Sequence, residues 1–470
     1  TARTLSPGLC RLMKKVDMNI ELREIAFPAE EAPATPPAIA PAEYQLRIDA
    51  LYERAGADWV AVYGDREHSA NLLFLTGYDP RFEEAVFLIG PNRQHYMVVG
   101  NEGRGYVPLT TPWVDVLICQ SLSLAGQPRD TAPHIGDVIS SAGIGKGQRV
   151  GLVGWKYLGP TETDDVTRPA YVPAFLVHAL HTLVGPTGDV TDVTSVMMHP
   201  GTGLRDRNSA AQIALFEWSA MRASASLFRI VMGTRPGMSE FEATALMRYE
   251  GDPFSAHVMY ATGKDNIVGL RSPTSKRVEL GDGVTTAVSF WGSLACRAGM
   301  LMDQSDDTFF HKVAATYFNV MATWYQTLRI GVAGDEINTV VRAAFGDAPF
   351  NSALNPGHLV SYDEWVNSPI QPGSTDKIAS GMALQSDIIP SPLPAGQALN
   401  CEDTLAIADA VLRAEIQAKY PGLWQRIIAR RTFMRDQLGI TLADEVLPLS
   451  TAPAYLPPFW LSPNLVCAVR

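Results

Sequence analysis

Apolar residues in this chain fall into two kinds of run. Compact runs at Trp59-Val60-Ala61-Val62-Tyr63-Gly64 and Ala85-Val86-Phe87-Leu88-Ile89-Gly90 predict buried strands ending at glycine, and His95 to Val99 and Arg149 to Val153 read alike. Helix-like spacing, as in Glu43 to Ala55, alternates with these runs and predicts a mixed or parallel sheet. Further on, Ser209 with Gln212 three residues later predicts a capped helix, continued by Ile213, Phe216, Ala220, Met221 and Ser224 at helical spacing. Ser239 and Glu242 form a second capping box after Arg235-Pro236-Gly237.

That sequence of features has an echo. A helix, then Arg329-Ile330-Gly331, then a helix from Asp335 repeats the order, as a duplicated domain would. Four segments follow from the pattern. Residues 1–41 form an extended, Ala/Pro-rich lead-in, and 42–200 an N-terminal α/β domain. Residues 201–445 form a second, duplicated domain that includes an amphipathic helical stretch from Leu423 to Leu438, and 446–470 a Pro-rich tail. Residues 1–17 lack an initiator Met and any apolar run of signal-peptide type, so Met18 is a candidate natural start.

Bulk properties exclude some classes. The net charge of −11 argues against non-specific binding to nucleic acid or anionic membrane. No run of about 18 apolar residues is present, so no membrane span is expected. Cys10, Cys119, Cys296, Cys401 and Cys467 are scattered and odd in number, which fits a reducing cytoplasmic setting better than a disulfide framework.

Four motifs carry the candidate chemistry: Gly299-Met300-Leu301-Met302-Asp303, Asn355-Pro356-Gly357-His358, the segment Gly381 to Asp387, and Leu399-Asn400-Cys401-Glu402-Asp403. Carboxylates and imidazole converging on one point suit hard or borderline divalent ions. In order and spacing these motifs resemble the creatinase/prolidase/methionine-aminopeptidase superfamily, the pita-bread fold. The resemblance implies an α/β (α+β) protein: a mixed-sheet N-terminal domain, then a pita-bread domain with internal pseudo-twofold symmetry. It also implies a metal set of Asp303, His358, Asp387 and Glu402. The family's dinuclear site has two Asp eleven residues apart on paired strands. Eleven residues before Asp303 stands Gly292, so one ion's main ligand is missing. The expectation is one divalent ion (Mn, Zn or Fe) or none, because creatinase has this fold and hydrolyses a C–N bond without metal.

Other family positions are altered. Where peptidases of the family carry a Pro-His loop, this chain has Gly269-Leu270-Arg271-Ser272-Pro273, and Arg271 is a candidate for a substrate carboxylate. Seven residues after His358 stands Trp365, able to stack on a substrate or simply to pack. His257, in an apolar run, is a candidate proton-transfer group or a core histidine. Asn71 to Tyr78 resembles the family's Asn-x-x-Tyr-Leu-Thr-Gly segment, and Arg81 after it is a candidate for reaching a substrate carboxylate in a creatinase-like homodimer.

These readings predict a hydrolase of an amide, amidine or ureido C–N bond in a small non-peptide substrate. His358, Asp387, Glu402 and His257 are its catalytic candidates, and Arg81, Arg271 and Trp365 its substrate-binding ones. An aminopeptidase P-like Xaa-Pro peptidase with a mononuclear site, a lyase, and a non-catalytic relative are the alternatives.

Overall fold

A computed structural model describes residues 18–470 apart from 29, 266, 305 and 306. The proposed start-site segment, with Cys10, lies outside the described residues. The chain divides into two compact units, residues 39–206 and residues 18–38 with 207–470.

Strand β1 (Ile20–Glu24) belongs to the second unit and pairs there with the C-terminal strand. The first unit opens with helix α1 (Pro41–Ala55), whose proline at the first turn leaves no helical hydrogen bond unmade. Its sheet has six strands: β2 (Trp59–Gly64), β3 (Ala85–Gly90), β4 (Gln94–Val99), β5 (Asp115–Ile118), β6 (Arg149–Val153) and β7 (Asp189–Asp192), in the order β5-β4-β3-β2-β6-β7. The pairs β2–β3 and β3–β4 are antiparallel and the other three parallel, so the expected mixed sheet is present. β2 and β3 are buried along their whole length, which is why they read as continuous apolar runs rather than alternating ones.

The second unit is built from two similar halves. In the first, helix α2 (Ala210–Gly233) is capped by the Ser209 side chain, which accepts from the Gln212 amide. After Arg235-Pro236-Gly237 comes α3 (Glu240–Ala245), closed by the Ser239/Glu242 capping box. β8 (Met259–Gly263), β9 (Gly283–Phe290) and β10 (Ser293–Met300) then pair antiparallel. In the second half, α4 (Ala315–Thr327) leads through Arg329-Ile330-Gly331 to α5 (Gly334–Ala343). β11 (His358–Leu359), β12 (Ala383–Gln385), β13 (Asn400–Glu402) and β14 (Thr404–Ile407) follow.

The correspondence extends to single hydrogen bonds. Gly237 and Gly331 both take φ near +90°, and each donates its amide at 2.8 Å, to Val278 and to Ile378 respectively. Only glycine enters that backbone region without strain. One sheet runs β13-β10-β9-β8. The other runs β11-β12-β14 and ends on β15 (Val446–Pro448).

The two ends of the chain are built into this unit. β1 pairs along its length with β16 (Leu465–Val469). Glu30 accepts from Arg430 at 2.9 Å, and Arg430 also donates to the buried Glu217 at 2.7 Å. The Pro-rich segment after 446, read above as a tail, is buried core: Tyr455, Leu456, Phe459 and Trp460 are fully enclosed. Its prolines mark turns within a packed layer, not an extension.

Candidate active site

The site is a single row of residues across strands of the second unit. Antiparallel partners point their side chains to the same face of a sheet. The register pairs Met259 with Ala287, Ala287 with Cys296, and Cys296 with Glu402. On the other side of Glu402, Gln385 pairs with Thr404. Extended by two residues, that register sets Asp387 opposite Glu402, and the Ser386 amide donates to the Asp403 carbonyl there at 3.0 Å. The row Met259–Ala287–Cys296–Glu402–Asp387 is thus one wall of a cavity of about 600 Å³. Alternation sends the next residues to the opposite face. There Arg297 and Asp403 form a fully buried, two-pronged ion pair at 2.8 and 3.0 Å.

Asp387 and Glu402 are both buried, and close enough for one carboxyl to donate to the other. Glu402 accepts from the Asn400 amide at 2.6 Å. Asn400 is oriented in turn by the Tyr317 hydroxyl at 3.0 Å. Burial, then the adjacent Asp387 and Glu364 charges, push the Glu402 carboxyl well above the carboxylate range. Burial raises Asp387 to about 6, against the lowering effect of His358. Both carboxyls therefore hold a proton more tightly than a free carboxylate does. Asp387 Oδ1 is buried without a hydrogen-bond partner.

His358 is fully buried and does not line the cavity. Its Nε2 stands 3.1 Å from Glu364 and 3.9 Å from Asp387, and its ring stacks on Trp365 at 4.1 Å. Burial works against the imidazolium, but the Glu364 and Asp387 charges outweigh it and raise the histidine. Trp365 and Glu364 line the cavity with Asp387 and Glu402. Glu364 is the member that the linear reading missed. Its only signal was an acid beside Trp365 in a motif read for a histidine.

Three expected members stand elsewhere. Asp303 lies beyond the end of β10, exposed, and is not in the cavity wall. It is seven residues past Cys296, roughly 20 Å of extended chain. The resemblance places two Asp on paired strands beside the last Glu; the paired-strand residues beside Glu402 are Cys296 and Ala287, nine apart rather than eleven. Gly292 is no vacated ligand position, because it turns the β9–β10 hairpin with φ of +89° and packs on Phe216.

Arg271 does not face the cavity. Its guanidinium is tied to the buried Glu240 at 3.1 Å. His257 is exposed just before β8, bonds the Leu270 carbonyl through Nε2 at 2.8 Å, and does not line the cavity. In the first unit, Arg81 bonds the Tyr106 hydroxyl at 3.1 Å and pairs with Asp79 at 3.3 Å, while remaining half exposed. Asn71 is buried and fixes the Gly154 carbonyl at 2.8 Å.

The donor set does not fit a metal ion. The row sets Ala287 and Cys296 beside Glu402, and no group of three His, Cys, Asp or Glu side chains that could hold a metal ion is present among the described residues. Burial and the Glu402 charge raise the Cys296 thiol well above its usual range.

No protein-family model and no curated protein matches the sequence. Solved structures do. A prolidase from Thermococcus sibiricus superposes with a TM-score of 0.64 at 13% identity, covering 89% of this chain and 99% of that one. An X-Pro aminopeptidase from Thermotoga maritima gives 0.62 at 13% identity, covering 88% and 98%. An Xaa-Pro dipeptidase from Bacillus anthracis gives 0.59 at 15% identity, covering 78% and 96%. The chain therefore has the pita-bread fold of these prolidases and aminopeptidases, as the resemblance implied. Among the described residues no helix is long and apolar enough to cross a membrane.

Proposed function

We propose that this chain is a hydrolase of a C–N bond, acting by acid–base catalysis at the Asp387–Glu402 pair without a metal step. One observation carries the reading: two buried carboxyls face each other at the wall of a cavity, with Asp387 Oδ1 free to accept. In this reading Asp387 is the ionised base and Glu402 the protonated acid, roles that the burial of Glu402 beside two other carboxylates supports.

In this scheme a water molecule bonded to Asp387 Oδ1 adds to the carbon of the amide, amidine or ureido group. Asp387 takes the water proton as the C–O bond forms. Glu402 gives its proton to the departing nitrogen as the C–N bond breaks. A proton passing from Asp387 to Glu402 then restores the pair. His358, enclosed and paired with Glu364, keeps Asp387 ionised and oriented, and is a positioning residue. Trp365 supplies a flat wall for the substrate.

A second reading has its own support. The neighbouring solved structures are Xaa-Pro dipeptidases, prolidases and an X-Pro aminopeptidase, and this chain spans more than nine-tenths of each. That kinship in fold points toward an Xaa-Pro peptidase, whereas the Ala287 and Cys296 positions point away from a metallopeptidase. Assays of the purified chain on Xaa-Pro dipeptides and on small amides and amidines, each with chelator and with added Mn²⁺, separate the two. Chelator-insensitive turnover of a non-peptide substrate is expected. Chelator-sensitive cleavage of Xaa-Pro dipeptides would establish the peptidase instead, and ligand binding without turnover a non-catalytic relative.

A further inference from the structure

The cavity wall has a one-sided charge pattern. Asp387 and Glu402 stand at its floor, Glu364 beside Trp365, and the exposed Asp265 on another part of the wall. Among the described residues no Lys, Arg or His lines it. Arg271, the nearest candidate in sequence, is committed to Glu240. The rest of the wall is mostly apolar, with Ile267, Leu294, Ile389 and Leu399 among its residues, and its neutral polar groups come from Thr285, Ser391, Gln397 and Asn400. A buried acceptor with no partner is costly unless a ligand supplies a donor, and Asp387 Oδ1 is such an acceptor, on a residue only 5% exposed.

We infer that the ligand of this cavity is an organic cation without a carboxylate: a positively charged nitrogen group donating to Asp387 and Glu364, on an apolar body lying along Trp365 and the aliphatic wall. A carboxylate on the same ligand would meet acids, hydrocarbon and a few neutral hydroxyl and amide groups with no basic partner, so its charge would be desolvated without a counter-charge. The inference rests on reading the cavity as the substrate site, and deepens the proposed function by naming the substrate's charge.

Calorimetric titration of the full chain with three probes tests it: benzamidine, its neutral isostere benzamide, and 4-amidinobenzoate, which adds a carboxylate to the cation. Benzamidine is expected to bind about ten- to a hundredfold tighter than benzamide, as charge-assisted hydrogen bonds imply. The added carboxylate is expected to weaken binding. Asp387→Asn should narrow the gap between benzamidine and benzamide. Glu364→Gln, at a partly exposed position that does not load the core, provides a second variant with the same expectation. Equal binding of the charged and neutral probes overturns the inference. So does tighter binding of 4-amidinobenzoate, or displacement of benzamidine by stoichiometric Mn²⁺ or Zn²⁺, which would make the cation a metal. Binding is read here without turnover, so failure of the hydrolase assay and failure of this inference are separate results.

Discussion

Cys296 lies directly across the sheet from Glu402, one strand away and on the same face. This pairing decides which side chains share the cavity with the catalytic candidates, and it sets a thiol beside Glu402 there. Ala287→Asp with Cys296→Asp should therefore rebuild a cluster of acids around Glu402 and Asp387. The double variant is expected to bind Mn²⁺ or Zn²⁺ with micromolar affinity by calorimetry, where the unaltered chain shows none. Continued absence of binding would mean that the row is not the lost metal site.

Asp303→Ala tests the same assignment from the other direction. Asp303 is exposed and beyond the strand, so its removal should leave turnover and ligand binding within error of the parent. Gly292→Asp should instead destabilise the fold, because a Cβ there would lie 2.0 Å from Phe216 Cδ1 and the backbone has φ of +89°. A chemical melt shifted by about 2 kcal/mol or more is expected.

Asp387 carries a pH signature. Its folded-state value of about 6 exceeds the 3.8 of a free Asp side chain, so the folded chain holds that proton longer than the unfolded one. Stability is then fully retained below about pH 4 and falls as pH rises to about 6, by on the order of 2–3 kcal/mol from this group. Asp387→Asn removes the dependence. The variant is expected to match the parent near pH 4 and to exceed it at pH 7 in denaturant titrations, while losing turnover. Turnover of the parent should rise as pH passes about 6, when the base ionises.

Glu402→Gln keeps the shape of the side chain and its bond from Asn400, but has no acid proton to give. A fall in kcat of about 10²- to 10⁴-fold is expected, with little change in stability. His358→Gln, remote from the substrate, should instead shift the pH profile of kcat by altering Asp387. A flat pH profile in both variants would remove the assigned roles.

On the far face of the same strands, Arg297 is fully enclosed with Asp403, and donates also to the Glu402 and Tyr455 carbonyls. Asp403 accepts from the Ala454 amide at 2.8 Å, which ties the C-terminal segment to the sheet. Asp403→Ala leaves a buried guanidinium without its counter-charge. A loss of about 3–5 kcal/mol is expected in urea titrations, large enough to deplete the folded state.

Much of this was local and therefore readable along the chain. The strands at Trp59 and Ala85, the caps at Ser209 and Ser239, the paired Gly237 and Gly331 turns, and the motifs at His358, Asp387 and Glu402 all rest on residues within a few positions of one another. The acid partners of Glu402 were not local. They depend on cross-strand register, which sets Cys296, seven residues before Asp303, opposite Glu402 and pairs it with Ala287, nine residues earlier rather than eleven. Pairing also turned Arg271 onto Glu240, hid His358 behind Glu364 and Trp365, and folded the Pro-rich end into the core. Sequence determined the elements and the chemistry on offer; tertiary structure decided which groups face one another, because side chains meet across strands by register and burial, and neither is encoded in linear spacing.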